Sequence, residues 1–232
     1  MSNVSEKFTV LAPYAIIFLG GPGFGKGTQG KEVAHRIGAT HWSSGDTMGG
    51  EQIWPGWGLE DLCKVANEFR NRHQLVPYDI VCQIFDISFV NLLRSPKPFI
   101  VDGVPRTGAQ ARRVLNTVQR TAGPNFPIWL VEFVLPTVKV GDEIITSPDA
   151  EAEILRRVLA RPNRTDSTEA AHKVRTADFK KETVPGYEIL KESGRFGELK
   201  KPINALSPKE QITKYIVQKL GVGDRYHLVS AR

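Results

Sequence analysis

Near the start of the chain a lysine stands inside a run of glycines, Gly20-Gly21-Pro22-Gly23-Phe24-Gly25-Lys26-Gly27-Thr28-Gln29. Glycine reaches positive φ and carries no Cβ, so successive backbone N–H groups can converge on one point. A lysine and a helix start beside them turn that point into a cradle for phosphate. Gly20-x-x-x-x-Gly25-Lys26 has the spacing of a P-loop, with Gly27 where a Ser or Thr is expected and the hydroxyl one later, at Thr28. A dinucleotide fingerprint also fits, as Gly25-x-Gly27-x-x-Gly30 with Asp46 downstream. It fails on context: its first glycine belongs in the turn directly after a strand, and Gly25 follows the apolar run Ala15–Leu19 by six residues. Asp46 lies in a turn-like Ser43-Ser44-Gly45-Asp46, away from any second apolar strand. A glycine turn without a ligand is the plainer alternative, and the lysine within it argues against that.

Phosphoryl transfer asks a protein for positioned positive charge, a metal and exclusion of water. Three places supply these. Lys26 and Thr28 suit one phosphate chain and a magnesium ion. Asp102, closing the apolar Phe99-Ile100-Val101, could hold the metal's water shell, and Arg106 can fork onto the phosphate of a second substrate. The third place is Arg157, Arg161, Arg164 and Arg175, spread across a helix break at Pro162-Asn163. Any one of these arginines alone would be read as a solvated surface charge. Four around one loop, in a chain with a P-loop, read as an anion clamp.

These groups need a frame, and the pattern provides one. Ala15–Leu19, Phe99–Val101 and Ile128–Leu135 are short apolar runs of the kind found in buried parallel strands. Helical spacing recurs in Gln29–Ile37, in Leu59 to Phe69, from Pro77 through Leu92, in Ala109–Arg120, in Ala150–Ala160 and in Pro208–Leu220. A long helix should start at a cap on Ser167 or Thr168 and be kinked or ended by Pro185-Gly186. A last strand is expected near Pro202–Ala205, and a small hairpin around Gly141-Asp142. Trp54 and Trp57 read as a loop plugging its own small core. Alternating strands and helices imply an α/β fold with a doubly wound parallel sheet, its ligands at the carboxyl ends of the strands.

At 232 residues the chain suits one domain with insertions. A net charge of +6 favours polyanionic partners, of which nucleotides are the modest version. No run of six basic residues and no RNA-binding signature supports nucleic acid. The two cysteines, Cys63 and Cys82, fall in helical patterns and read as free thiols. No signal-like N-terminus or run of 18 apolar residues is seen, so a soluble, cytoplasmic protein without membrane contact is expected.

Over most of its length the chain resembles the adenylate kinases of the nucleoside monophosphate kinase family. Gly20 to Gln29 is similar to that family's P-loop, including the Gly27-Thr28 order. Ser43-Ser44-Gly45-Asp46 resembles its monophosphate turn, and Gln74-Leu75-Val76-Pro77 the strip lining the monophosphate base. Asp102-Gly103-Val104-Pro105-Arg106-Thr107-Gly108-Ala109-Gln110 is similar to its most diagnostic motif. Arg164-Thr165-Asp166 with Arg175, then Thr183-Val184-Pro185, resembles the lid and its continuation, and Asn204-Ala205 the turn beneath the triphosphate's base.

The resemblance implies a five-stranded P-loop domain over 1–232, a monophosphate-binding subdomain over 43–77 and a short lid over 161–175 with no cysteine for a structural zinc. It implies ATP at Gly23, Phe24, Gly25, Lys26, Gly27 and Thr28, with Arg157 and Ser207 near its adenine and Arg161 on its phosphates. AMP would meet Ser44, Gln74, Leu75, Val76, Gly103, Val104, Pro105, Arg106 and Gln110, with Arg164 and Arg175 closing from the lid. Lys26, Arg106, Arg161, Arg164 and Arg175 would be catalytic, and Mg²⁺ would sit by Thr28 and Asp102. The expected reaction is ATP + AMP = 2 ADP by a monomer, the alternatives being UMP or CMP as acceptor, or a nucleotide sensor without turnover.

One departure bears on the acceptor. The family's arginine five residues after the Ser44 position is Gly49 here, and the lid's second aspartate is Ser167. Losing one charge-assisted phosphate contact costs roughly 1.5–3 kcal/mol, about 10- to 100-fold. Lys64, Arg70 and Arg72 on the neighbouring helix are the basic residues that could take its place.

Overall fold

The structure, a computed structural model, describes residues 13–72, 74, 76–161, 167–199 and 201–220. The chain runs β1 (Ala15–Leu19), α1 (Lys26–Ile37), β2 (Thr40–Ser43), α2 (Ser44–Met48), α3 (Glu60–Asn71), α4 (Tyr78–Arg94), β3 (Phe99–Asp102), α5 (Gly108–Thr121) and β4 (Ile128–Val134). It continues with β5 (Thr137–Val140), β6 (Glu143–Thr146), α6 (Pro148–Leu159), α7 (Glu169–Asp178), α8 (Val184–Glu192), β7 (Gly197–Glu198), β8 (Ile203–Asn204) and α9 (Lys209–Lys219).

The main sheet has the order β2-β3-β1-β4-β7, with β8 also on β4, and every pairing in it is parallel. The fifth position of the expected five-stranded sheet is therefore shared by two dipeptide strands at different registers. β1 is central, pairing Ile17 with Val101 on one side and with Leu130 on the other. Its side chains alternate between two cores. Ala15, Ile17 and Leu19 join Phe85, Phe89, Phe99 and Leu190 on one face, while Ile16 and Phe18 join Val33, Ile37, Phe133 and Ile216 on the other. Both faces are buried, which is why β1 reads as an unbroken apolar run.

Helices arose where the period predicts them, and Thr168 caps α7 by accepting from the Ala171 N–H at 3.2 Å. Trp54 stacks on Trp57 at 4.5 Å, its indole donates to Thr47 Oγ1, and both rings pack against the main core rather than forming a core of their own. The hairpin forms as β5 and β6, with exposed Val140 and Ile144.

Two expectations change and a third narrows. β2 and α2 occupy a stretch read as a short polar loop; Thr40-His41-Trp42-Ser43 pairs with β3, and Trp42 is buried. Val65, one of the apolar residues that the spacing from Leu59 to Phe69 puts on one helix face with Leu62, Cys63 and Ala66, is exposed. Pro185-Gly186 does not end a helix. It interrupts one, as the kink alternative expects: a π-helical turn at Phe179–Thr183 directly precedes Pro185 within a continuous helical run, where the proline cannot donate to the turn before it.

Gly186 has a packing duty. A Cβ there would lie 2.9 Å from the Thr107 carbonyl oxygen, so α8 approaches the start of α5 through a residue without a side chain. Gly186→Ala should destabilise the protein by about 1–3 kcal/mol through this overpacking. A urea midpoint unchanged from wild type would contradict it.

Candidate active site

The P-loop follows β1 without a break. Gly23 and Gly25 have φ of 90° and 82°, and Gly25 caps α1 from the left-handed region, where a side chain would be strained. A Cβ on Gly23 would collide with Ile154 and meet Val158, so α6 rests directly on the loop. That contact brings Arg161, just beyond the end of α6, within electrostatic reach of Lys26 in the loop.

Lys26 turns back into its own loop. Its Nζ donates to the Gly20 and Gly21 carbonyl oxygens at 2.8 and 2.9 Å. The side chain keeps some surface in solvent while the ammonium is enclosed. Burial lowers its pKa from 10.5 to about 8; the Asp102 carboxylate opposes the fall, and the Arg106 and Arg161 guanidiniums deepen it. Those four charges therefore share one region, although they come from three separate stretches of the chain.

Gly20 is held a second time. Its N–H donates to Tyr187 Oη at 3.1 Å, and the same hydroxyl donates to the Gly20 carbonyl at 3.3 Å. Tyr187 is buried in α8, and burial raises its pKa far above the ordinary phenol value.

At the end of β3, Asp102 is 8% exposed and its Oδ2 lies 3.2 Å from where a Cβ on Gly27 would sit. It thus faces the first turn of α1, whose Thr28 is exposed to the crevice. Gly103, at φ 87°, lets the chain turn so closely that a Cβ would strike Ser44 Oγ. Arg106 is fixed at both ends. Its Nε donates to the Gly103 carbonyl at 2.8 Å, its Nη2 to Ser44 Oγ at 3.3 Å, and its backbone N–H to Gln110 Oε1 at 2.7 Å. Ser44 Oγ in turn donates to the Gly103 carbonyl at 3.2 Å. From α8's side, Thr183 Oγ1 donates to the Arg106 carbonyl at 2.9 Å.

Arg157 donates to Glu153 and, at 2.9 Å, to the Ala205 carbonyl, which brings it against the Asn204–Ser207 turn. Arg161 and Arg175 come together: both guanidiniums act on His172, whose pKa is lowered by burial first and then by these two charges. Val76 packs on the core and Gln74 is exposed. Leu75 and Arg164 lie outside the described residues. Cys63 and Cys82 are free thiols in α3 and α4. No helix among the described residues is long and apolar enough to cross a membrane.

The frame and the charges match one family. The adenylate kinase family model covers residues 18–194. An adenylate kinase of Prochlorococcus marinus is 31% identical over 88% of this chain and 97% of its own length. One of Bacteroides fragilis is 30% identical over 85% and 93%, and bovine adenylate kinase isoenzyme 1 is 29% identical over 77% and 81%.

The chain belongs to the adenylate kinase family.

It is accordingly a phosphotransferase, built on the P-loop nucleotide-binding fold. Sequence reasoning missed Tyr187, and it noted Thr183 only as part of a motif, without the contact by which it holds this adenylate kinase fold around its site. Each contacts a residue so distant in sequence that no local pattern marks it.

Tyr187→Phe would leave the buried Gly20 N–H without its acceptor, at a cost of about 1–3 kcal/mol. Chemical denaturation of the variant should show that loss; stability equal to wild type would show that the hydroxyl does not hold the loop.

Proposed function

We propose that the protein transfers the γ-phosphoryl group of ATP reversibly to AMP, giving two ADP, with Mg²⁺. The observation that carries this reading is the convergence of Lys26, Asp102, Arg106 and Arg161 at the carboxyl ends of β1 and β3. ATP would lie with its phosphates in Gly23–Thr28 and its adenine between Arg157 and the turn at Ser207. AMP would take Ser44, Gly103 to Arg106 and Gln110, with the strip at Gln74–Val76 along its base. In this reading residues 43–77 are the acceptor subdomain and 161–175 the lid that brings Arg161, Arg164 and Arg175 over the phosphates.

Positioned charge does the work. Lys26 holds the transferring group, and Arg106 aims the acceptor phosphate at it, so an in-line approach needs no covalent intermediate. The donor set also suits Mg²⁺: Asp102 and the Thr28 hydroxyl are hard oxygen donors beside the loop, and this ion takes one or two carboxylates, waters and substrate phosphates. Bound there, it would neutralise charge on the phosphate oxygens. Gln110 accepts from the Arg106 N–H through its carbonyl oxygen, which leaves the adenine preference resting on its amide donor and on the resemblance to the family's adenine-reading glutamine. UMP or CMP is the second reading, since the Gly49–Gly58 loop borders that site.

A panel of AMP, UMP and CMP with ATP and Mg²⁺ tests the reading, and AMP should be the preferred acceptor. Arg106→Ala should raise KM for the acceptor by about 10- to 100-fold while leaving ATP affinity within about twofold. Tight nucleotide binding without turnover by the wild type would favour a sensor instead.

Lys26 makes ATP binding depend on pH. Its pKa lies below that of a free lysine, so the folded free protein loses this proton near pH 8, well before the unfolded chain does. Bound phosphate favours the ammonium. Above about pH 8 binding must therefore take up a proton, and affinity should fall by up to about tenfold per pH unit, while below it this group contributes no pH dependence. Calorimetry in buffers of different ionisation enthalpy should find uptake at about pH 9 and almost none at about pH 7. Absence of uptake at the higher pH would contradict this.

A further inference from the structure

Gly49 ends α2 at φ −85° and ψ −9°, ordinary right-handed backbone that any residue can adopt. Its missing side chain is therefore a matter of space rather than of conformation. The space is taken by Arg70. A Cβ on Gly49 would collide with Arg70 Nη1, and would sit 3.0 Å from Arg70 Cζ and from Glu51 Oε2. Arg70 extends from the last turn of α3, and its Nη1 donates to the Gly45 carbonyl oxygen at 2.7 Å.

The neighbouring residue Ser44 receives the Arg106 guanidinium. Two guanidiniums from different elements thus meet consecutive residues of one turn, at the carboxyl end of β2. Arg70 is half-buried, and among the described residues its hydrogen bond goes to a neutral carbonyl rather than to a carboxylate. A cation so placed keeps donors available for an anion bridging it and Arg106. Lys64 and Arg72, the other two basic residues on this side, make no such contact with the turn in any hydrogen bond or ion pair among the described residues.

We infer that Arg70 is a second binding residue for the phosphate of the acceptor nucleoside monophosphate, sharing it with Arg106 and using the room that Gly49 leaves. This inference rests on the acceptor-site reading above. Arg70 contributes charge and forked donors to that phosphate. Gly49 contributes only the absence of a side chain, and the two positions form a matched pair.

Steady-state kinetics with ATP and AMP test it, on the wild type, Arg70→Gln and the double variant Gly49→Arg/Arg70→Ala. Glutamine keeps a neutral donor for the Gly45 carbonyl but removes the charge. Arg70→Gln should raise KM for AMP about 10- to 100-fold while KM for ATP stays within about twofold. Competition by adenosine, which lacks the phosphate, should be unchanged. The double variant, which moves the guanidinium to position 49, should recover most of the AMP affinity. A KM for AMP within about twofold of wild type in Arg70→Gln overturns the inference, as does an equal loss for AMP, adenosine and ATP, which would mark a bracing role only. A wild type that phosphorylates no monophosphate would defeat the acceptor-site reading instead. Calorimetric AMP binding to the same variants would then still decide whether Arg70 holds the phosphate.

Discussion

The backbone of Gly20 is the point on which the site depends. Its carbonyl accepts from Tyr187 Oη and from Lys26 Nζ, and its N–H donates to the same tyrosine hydroxyl. A residue of α8 thereby fastens a loop that precedes it by 167 residues. The same helical stretch holds the opposite side of the crevice, through Thr183 on the Arg106 carbonyl and through the close approach of Gly186 to Thr107. One element after the arginine-rich segment therefore sets the spacing between the phosphate cradle and the arginine across from it. Transfer between two bound phosphates tolerates little error in that spacing, and a packed helix is a stiffer ruler than either loop.

Much of this was legible in the sequence, for reasons that differ from place to place. The P-loop announces itself because backbone geometry demands particular residue types at fixed spacing; Asp102 and Arg106 stand out as charges after an apolar run, and Gln110 only through the family resemblance. Central strands were visible because both of their faces are buried. β2 was not, since Thr40, His41 and Ser43 are polar, and only its register against β3 makes them a strand. β7 and β8 are two residues each, too short to carry a period. Tyr187 and Thr183 act across long sequence separations, where no local pattern reports a partner. Arg70 stood among three basic residues on one stretch of helix. Its contact with the turn at Gly45–Gly49 distinguishes it, and that is a fact of tertiary packing.

The electrostatics follow from the same geometry. Burial is the largest influence on the Lys26 ammonium; Asp102 pulls the other way, and Arg106 and Arg161 act with burial. With nothing bound, Lys26 spends its donors on loop carbonyls and its proton is loosely held. In the proposed reaction phosphate oxygens would take up these donors, and the positive charge would stand where a phosphoryl group develops negative charge. What the chemistry constrains is the position of each guanidinium, far more than the element that delivers it. Gly49 and Arg70 fit that principle: position 49 carries no side chain, and Arg70 of α3 fills the gap and donates to the Gly45 carbonyl, so a guanidinium stands beside that turn although it comes from another helix. A residue-by-residue match to a motif sees only the missing side chain at position 49, while the folded chain shows the cation that packs into its space.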